Sequence, residues 1–160
     1  INVIETAVGF KHVGEAMRKN KVIIGGEESG GLSIQGHIPE KDGLLANLLI
    51  LETMASTGKS LIELQDDLYK IAGCRFYTDR IDLKLDNQEE IKPILEKVKQ
   101  LQNIGEYTVT SIDTIDGVKL MLGDTTKILV RPSGTEPLLR IYFETDNRKK
   151  LEDLKNKNFI

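Results

Sequence analysis

The sequence ILVRPSGTEPLLRIYFE, at residues 128–144, joins two apolar stretches through a loop of polar residues, glycine and proline. From Leu139 to Glu144, apolar side chains alternate with polar or amphipathic ones, which is typical of a β-strand that buries one face. Ile128 to Val130 is a shorter apolar run. The loop at residues 131–137 therefore follows one predicted strand and precedes another.

Further strand patterns precede this loop. Apolar and charged residues alternate towards the end of the stretch from Arg75 to Leu85, which predicts a strand with one solvated face. Two more strands are predicted near Tyr107 to Ile112 and Val118 to Leu122. Asp116-Gly117 lies between them and is a turn signal that favours a hairpin.

Two predicted helices complete this half of the chain. Asn87 to Glu90 opens a helix with an apolar stripe, and Pro93 is tolerated because it falls in the first turns. The lysine-rich segment from Arg148 to Lys157 predicts an exposed helix. Residues 74–160 are thus predicted to form an α+β domain, an antiparallel sheet of about four strands with two helices on one face.

The first 73 residues show mostly helical patterns. We predict a short helix from His12 to Asn20 and a buried strand from Lys21 to Ile24. The helix from Leu44 to about Thr57 is apolar on most sides, which predicts a position between two layers. Ser60-Leu61-Ile62-Glu63 fits a capping box, and the helix that follows is expected to run to Ala72.

A single strand cannot form a sheet, so residues 1–73 are predicted to be the second half of an α/β domain whose earlier strands are absent. Ile1 to Thr6 show neither a Met start nor a secretory signal, and we expect the chain to begin in mid-protein. The second domain is expected to occupy residues 74–160. Without its earlier strands, the first unit is expected to expose an apolar strand edge and face.

Composition and charge exclude some classes of function for this chain. The chain has 160 residues, of which 39% are hydrophobic and 29% are charged, a mixture typical of globular proteins. Its longest nearly apolar run, Leu44 to Leu51, is far too short to cross a bilayer. A net charge of -3 argues against nucleic acid as a partner. The single cysteine, Cys74, can form no internal disulfide, so a reducing cytoplasm is the expected setting.

The loop at residues 131–137, RPSGTEP, has the residue types of an anion-binding loop. Its glycine lets the backbone turn so that N–H groups and two hydroxyls can converge on one point. The flanking arginines add planar forks that suit phosphate oxygens. The candidate phosphate-binding residues are Arg131, Ser133, Gly134, Thr135 and Arg140. A plain turn is the alternative interpretation, and the proximity of two arginines favours the anion site.

The segment Gly26 to Gly30, GEESG, offers carboxylates and a hydroxyl from a flexible backbone. Hydrogen bonding to vicinal sugar hydroxyls requires such groups. A solvated loop is an open alternative. A metal site is the least favoured interpretation, because two adjacent glutamates without an Asp or His at suitable spacing form a poor cation site.

Weaker signals come from the remaining polar residues. His12 and His37 are the two histidines of the chain, and a surface or structural role is the simpler interpretation for each. Lys11 is open to the same interpretation. Asp42 lies just before the apolar helix, where a carboxylate favours the helix N-terminus.

Four motifs in this order and spacing resemble the α-D-phosphohexomutase superfamily, which includes phosphoglucomutase and phosphomannomutase. The motifs are Gly9-Phe10-Lys11, Gly26-Glu27-Glu28-Ser29-Gly30, Glu40-Lys41-Asp42-Gly43 and Arg131-Pro132-Ser133-Gly134-Thr135-Glu136-Pro137. The resemblance spans nearly the whole chain. It implies the latter part of the third of four domains, followed by the fourth domain.

The resemblance also implies roles for single residues. Glu27 and Ser29 would contact sugar hydroxyls. The loop residues Arg131, Ser133, Gly134 and Thr135 would hold the phosphate that is not being transferred. Lys11 matches a lysine of the phosphoglucomutase branch that is proposed to assist proton transfer.

Members of this superfamily interconvert hexose 1-phosphates and hexose 6-phosphates. A phosphoserine in the first domain donates its phosphoryl group, Mg2+ assists, and a bisphosphate such as glucose 1,6-bisphosphate is the intermediate. This chain has neither the serine loop nor the magnesium loop of the family. The resemblance therefore implies that its partners are a hexose phosphate and the N-terminal domains of the same protein. The chain is expected to supply recognition and to be inactive alone.

The loop Glu27-Glu28-Ser29 resembles the glucose and mannose branches more than the amino-sugar branch, where a Gln commonly follows the first Glu. Phosphoglucomutase is the first interpretation. A phosphomannomutase or a dual-specificity enzyme is the alternative, since epimers that differ at one hydroxyl can share this loop. From another class, a non-catalytic sugar-phosphate-binding module stays open.

Overall fold

The computed structural model describes residues 2–160. Contacts within the chain divide it into two compact units, residues 1–71 and residues 72–160. Among the described residues, the first unit holds a two-stranded hairpin and helices. The second holds a five-stranded antiparallel sheet, a second small hairpin and two α-helices. This composition agrees with the predicted α/β part followed by an α+β part.

The first unit begins with a helix on a hairpin. Its elements are α1, Phe10–Lys19, and the antiparallel strands β1, Ile24–Gly26, and β2, Leu32–Ile34. The prediction of one strand over residues 21–24 is therefore wrong in position and in number. A Cβ atom at Gly25 would lie 2.7 Å from both Met17 Sδ and Val13 Cγ1, so the strand reaches α1 closely only because glycine occupies this position.

Helix α2, Gly43–Thr57, begins at the expected cap, Asp42, and ends at Gly58. The Asp42 carboxylate accepts two backbone N–H groups of the first turn, each at 3.0 Å. At the other end, Gly58 has a φ of 67°, and its N–H donates to the carbonyl of Met54.

Helix α3, Leu61–Ala72, has the predicted capping box. The backbone N–H and the hydroxyl of Ser60 donate to the Glu63 carboxylate at 2.8 and 2.7 Å. The Glu63 N–H donates back to the Ser60 hydroxyl at 3.4 Å. Because this device is encoded within four consecutive residues, the sequence predicted it correctly.

The apolar side chains of α2 are exposed. Within α2, which the structure describes completely, no residue is buried, and Leu44, Leu48 and Leu51 are 78%, 63% and 59% exposed. The prediction that α2 lies between two layers is thus wrong for this chain. Ile24 of β1 and the preceding Ile23 are 58% and 74% exposed, as expected for an uncovered apolar face.

The second unit is built on a five-stranded sheet. Its strands are β3, Tyr77–Lys84; β6, Ser111–Asp113; β7, Val118–Met121; β8, Lys127–Pro132; and β9, Leu138–Thr145. They lie in the order β3-β9-β8-β7-β6, and each neighbouring pair is antiparallel. A separate hairpin consists of β4, Asn103–Ile104, and β5, Tyr107–Thr108.

The sheet thus has five strands where the sequence predicted about four. The predicted strand at residues 107–112 is two strands, because the chain changes partners in its middle. The Val109 N–H donates to Gln102 at 2.8 Å, whereas the Thr110 N–H donates to Met121 at 2.8 Å. The alternation of apolar residues also shifts here, from Tyr107 and Val109 to Ile112, and this shift is the sequence signal for the break.

Two helices contribute to the core of this unit. Helix α4, Ile91–Lys99, follows a 3-10 turn that Asn87 caps, and helix α5 spans Arg148–Lys155. The buried cluster comprises Val98, Ile104, Val118, Leu120, Leu122, Ile128, Val130, Leu139, Ile141, Phe143, Leu151 and Leu154. The prediction that the last helix is simply exposed is wrong on one side, where Leu151 and Leu154 are buried.

Candidate functional site

The loop at residues 133–137 joins β8 to β9 as the end of a hairpin. Pro132 lies opposite Leu139, and the Ser133 N–H donates to the Leu138 carbonyl at 2.8 Å. Ser133 is 8% exposed, and its hydroxyl oxygen lies 3.5 Å from the Thr135 nitrogen, at the limit of a hydrogen bond. Two firmly paired strands therefore hold both ends of a short exposed loop.

Two backbone N–H groups of this loop stay available. The N–H groups of Gly134 and Glu136 have no hydrogen-bond partner among residues 2–160, and both residues are exposed. The Thr135 hydroxyl lies between them in sequence, also on an exposed residue. Backbone N–H groups and a hydroxyl gathered in a tight loop form a suitable site for an anion.

Two arginines lie directly opposite each other at the base of the loop. Arg131 on β8 and Arg140 on β9 are partners in the strand register. Like charges in this arrangement destabilise a sheet unless anions compensate for them. Arg131 Nε lies 2.8 Å from Asp116 Oδ2, and Arg140 Nε is buried without a hydrogen-bond partner in the described part of the chain. The base of the loop is thus rich in cationic donors.

The loop at residues 27–31 joins β1 to β2. The Glu27 N–H donates to the Gly31 carbonyl at 2.8 Å, and the Gly30 N–H donates to the Glu27 carbonyl at 2.9 Å. Gly30 has a φ of 95°, which only glycine adopts readily. Glu28 and Ser29 are exposed at the tip, whereas Glu27 is half-buried.

The Glu27 carboxylate is held between two glycines. Its Oε1 accepts the Gly9 N–H at 3.2 Å, and a Cβ atom at Gly31 would lie 2.9 Å from its Oε2. The same Cβ position is 3.4 Å from the Phe10 ring and 3.4 Å from Lys41 Cδ. Three of the four sequence motifs therefore meet around Glu27 within residues 1–71.

Sequence reasoning missed these contacts of Glu27. A backbone N–H that binds a side chain leaves no residue signature, so the contact from Gly9 could not be read from the sequence. The glycine at position 31 was visible, but its steric role depends on a fold that brings Phe10 and Lys41 to the same place.

Lys11 lies exposed in the first turn of α1, directly after the buried Phe10. The same end of α1 provides the Gly9 N–H that reaches Glu27. A proton-transfer role for Lys11 remains a proposal, supported by its place next to this contact.

His37 has a specific partner that the sequence did not predict. Its Nε2 lies 3.0 Å from Asp42 Oδ2. The backbone N–H of Leu45 is the largest cause that holds the pKa of Asp42 below its ordinary value, and the His37 side chain adds to it. The pair ties the segment after β2 to the start of α2.

The two candidate loops belong to different units of the chain. The loop at residues 27–31 lies in the unit of residues 1–71, and the loop at residues 133–137 lies in the unit of residues 72–160. Each loop is shaped by backbone hydrogen bonds within its own unit. The first offers a carboxylate and a hydroxyl, and the second offers N–H groups and guanidinium groups.

The acidic, histidine and cysteine side chains of the described residues are not grouped as a metal site requires. Between residues 2 and 160, no group of three or more His, Cys, Asp or Glu side chains could hold a metal ion. These residues therefore do not fit a magnesium site. None of the helices in the described range is long and apolar enough to cross a membrane.

Known proteins resemble this chain along nearly its whole length. Phosphoglucosamine mutase of Bacillus subtilis (strain 168) is 32% identical over 158 residues, which cover 98% of this chain and 31% of that protein. Phosphoglucomutase/phosphomannomutase of Thermococcus kodakarensis is 35% identical over 151 residues, covering 94% of this chain and 31% of that protein. The chain thus spans about a third of the length of these relatives.

A solved structure shows the same fold. A phosphoglucomutase/phosphomannomutase family protein from Burkholderia thailandensis superposes with a TM-score of 0.71 at 19% identity, over 94% of this chain and 30% of that chain. At this identity the likeness concerns the fold alone.

Family-level comparison covers both units. Residues 1–71 match the phosphoglucomutase/phosphomannomutase alpha/beta/alpha domain III, and residues 81–159 match the phosphoglucomutase/phosphomannomutase C-terminal domain. The two matches follow the order of the two units along the chain. The chain therefore belongs to the phosphoglucomutase/phosphomannomutase family.

Proposed function

We propose that this chain supplies sugar and phosphate recognition to a phosphohexomutase, an isomerase that interconverts hexose 1-phosphate and hexose 6-phosphate. The single observation that carries the proposal is the loop at residues 133–137. It combines two available backbone N–H groups with two arginines on the adjoining strands. A phosphate dianion matches this set of donors in charge and in hydrogen-bonding capacity.

In this proposal the two loops divide the work of recognition. The Gly134 and Glu136 N–H groups, the Ser133 and Thr135 hydroxyls and the guanidinium groups of Arg131 and Arg140 hold the phosphate that is not transferred. The Glu27 carboxylate accepts hydrogen bonds from sugar hydroxyls, and Ser29 donates or accepts one. Positioning of this kind lowers the barrier of a phosphoryl transfer that other groups carry out.

Glucose is the first sugar that we propose, on the basis of Glu28 after Glu27. Mannose follows, since the two sugars differ at one hydroxyl. The relatives above carry the names phosphoglucosamine mutase and phosphoglucomutase/phosphomannomutase, so an amino sugar belongs in the comparison. Titrations with the 1-phosphates of glucose, mannose and glucosamine will rank the three sugars.

Amide NMR titration of the 160-residue chain tests the proposal. Glucose 1-phosphate should shift the amides of residues 133–136 saturably and also those of residues 27–30. Inorganic phosphate should shift only the first set. Arg131→Ala should abolish the response of the phosphate loop. Arg148→Ala is the matched control, because Arg148 is an exposed arginine at the start of α5 in the same unit.

Two outcomes would contradict the proposal. One is the absence of any saturable shift in residues 133–136 with either phosphate compound. The other is an equal loss of binding in Arg131→Ala and Arg148→Ala, which would indicate a general effect of positive charge and no specific loop site.

We further propose that the chain alone has no mutase activity, since the serine loop of the family is not among its residues. A coupled assay with glucose 1-phosphate and glucose 1,6-bisphosphate should give no turnover in a preparation free of host enzyme. Turnover that remains unchanged in the Arg131→Ala variant would indicate a contaminant. Turnover that this variant abolishes would refute the proposed inactivity.

A further inference from the structure

The turn between β6 and β7 lies directly against β8 at the start of the loop at residues 133–137. Gly117 in this turn has a φ of 82°, and a Cβ atom there would lie 2.3 Å from the Val130 carbonyl oxygen. The same Cβ position is 3.0 Å from Arg131 Cα. Only glycine can bring the turn this close to β8, so the turn and the start of the loop form one packed unit.

The residue before this glycine reaches the arginine of the loop. Asp116 Oδ2 lies 2.8 Å from Arg131 Nε, and the two side chains are 28% and 24% exposed. The Nε–H bond does not point straight at the oxygen, so the contact is an ion pair without good hydrogen-bond geometry. Half-buried charges attract each other more strongly than fully solvated ones.

The position of this ion pair on the guanidinium group matters. A guanidinium has five N–H donors, and the contact with Asp116 is made at Nε. The two terminal nitrogens, which carry the other four donors, form the edge that grips two oxygens of an anion. An ion pair at Nε therefore leaves that edge for a ligand.

The neighbouring charges explain why a carboxylate is needed here. Arg140 lies opposite Arg131, and Asp82 lies opposite Arg140 on the other side. Asp82 is engaged with Arg80 at 2.9 Å. Asp116 thus offsets the repulsion between the two arginines from the far side of Arg131.

We infer that Asp116, held in place by Gly117, is a positioning residue that fixes the Arg131 guanidinium with its terminal nitrogens available to the bound phosphate. The inference rests on the proposed phosphate site and adds a residue outside the loop and outside the sequence motifs. Asp116 does not touch the ligand in this arrangement. It acts on the ligand through Arg131.

The substitution Asp116→Asn separates positioning from simple charge. If Asp116 only places a negative charge near the phosphate, its neutralisation should strengthen phosphate binding, because like charges repel. If Asp116 positions Arg131, the substitution should weaken phosphate binding although it removes a negative charge. The two explanations predict opposite signs, so one titration distinguishes them.

The matched control is Asp113→Asn. Asp113 lies on the same hairpin and pairs with Lys119 at 3.0 Å, so this variant removes the same charge near the loop without touching Arg131. We expect Asp116→Asn to weaken inorganic phosphate and glucose 1-phosphate binding about tenfold, which corresponds to about 1.4 kcal/mol. Asp113→Asn should leave both affinities unchanged or slightly stronger, and Asp116→Glu should restore part of the loss.

A readout without ligand accompanies the titrations of the full 160-residue chain. In the free protein, the Arg131 Nε–H signal in a nitrogen-detected NMR spectrum should be resolved and slow to exchange in the wild type and in Asp113→Asn. It should move and broaden in Asp116→Asn. The backbone amide spectrum confirms that each variant is folded.

The possible outcomes are distinct. Wild-type binding that Asp116→Asn leaves unchanged or strengthens overturns the positioning role and leaves the phosphate site standing. Absence of wild-type binding overturns the proposed function and this inference together. Weaker binding in Asp116→Asn with an altered Arg131 signal, against an unchanged Asp113→Asn, supports the inference.

Discussion

Two threonine hydroxyls form a hydrogen bond in the core of the unit of residues 72–160. Thr126 and Thr145 are both 0% exposed, and their hydroxyl oxygens lie 3.0 Å apart. The Thr145 hydroxyl also accepts the Asn147 N–H at 3.3 Å, at the start of α5. Buried polar groups are tolerated when they satisfy each other, so this pair links the end of β9 to the helix that follows.

The substitution Thr145→Val should destabilise this unit. It keeps the shape of the side chain but leaves the Thr126 hydroxyl and the Asn147 N–H with one partner fewer, which costs about 1–3 kcal/mol. Urea unfolding followed by circular dichroism measures the change. Thr78→Val is the control, because Thr78 is an exposed residue of the neighbouring strand β3 and its loss should change stability little. Equal effects of the two substitutions would contradict this prediction.

Ionisation of Tyr107 should destabilise the unit of residues 72–160 at alkaline pH. Burial, followed by its hydrogen bond to Asp153, raises the pKa of Tyr107 to about 12. In the unfolded chain the phenol loses its proton near pH 10. The stability that this group contributes is therefore fully present below about pH 10 and is lost as pH rises towards 12.

Absorbance at 295 nm as a function of pH checks this prediction. The folded chain should show a tyrosinate step near pH 12 that is missing in Tyr107→Phe. The variant should also lose less stability between about pH 10 and 12 than the wild type. A step near pH 12 that persists in Tyr107→Phe would assign it to another tyrosine.

At the scale of elements, replacing the glycine at either end of α2 should have opposite effects on stability. Gly58 ends the helix with a φ of 67°, a conformation that costs a residue with a side chain about 1–2 kcal/mol. Gly43 begins the helix and has open space around its Cβ position. Gly58→Ala should therefore lower the thermal stability of the first unit, and Gly43→Ala should raise it by a few tenths of a kcal/mol to about 1 kcal/mol. Thermal unfolding by circular dichroism compares the two variants, and shifts of the same sign would contradict the roles assigned to these two glycines.

Elements with local signals could be predicted from the sequence. The capping box of α3, the cap of α2 at Asp42 and the alternating residues of β9 are each encoded within a few consecutive positions. The β1–β2 hairpin could not be read in this way, because its strands are three residues long and two of the three residues of β1 are glycines. Glycine at position 25 is explained only by Met17 and Val13 on α1.

In the candidate site, too, local features could be predicted from the sequence and contacts between distant residues could not. The residue types of the two loops were visible in the sequence, and the structure gives each loop a tight turn with exposed polar groups. The Gly9 contact with Glu27 and the Asp116 contact with Arg131 join residues that are far apart along the chain. Such contacts arise from packing, so one sequence without its fold cannot reveal them.

At the scale of the whole molecule, the two units differ in how their apolar residues are used. The second unit buries a continuous cluster between its sheet and two helices. The first unit leaves Leu44, Leu48 and Leu51 exposed, and their spacing along α2 places them on one face of the helix. Burial of one leucine side chain is worth about 1.5–3 kcal/mol, so this stripe favours association with any apolar surface.

The chain should therefore self-associate as its concentration rises. We expect sedimentation equilibrium to give a mass that increases with concentration for the wild type, and a monomer mass for the double variant Leu48→Glu, Leu51→Glu. Ile115→Glu is the control, because Ile115 is 57% exposed in a turn of the second unit and does not belong to α2. This control should associate like the wild type. A wild type that stays monomeric at all concentrations would show that three exposed leucines on one helix are too small a surface to drive association.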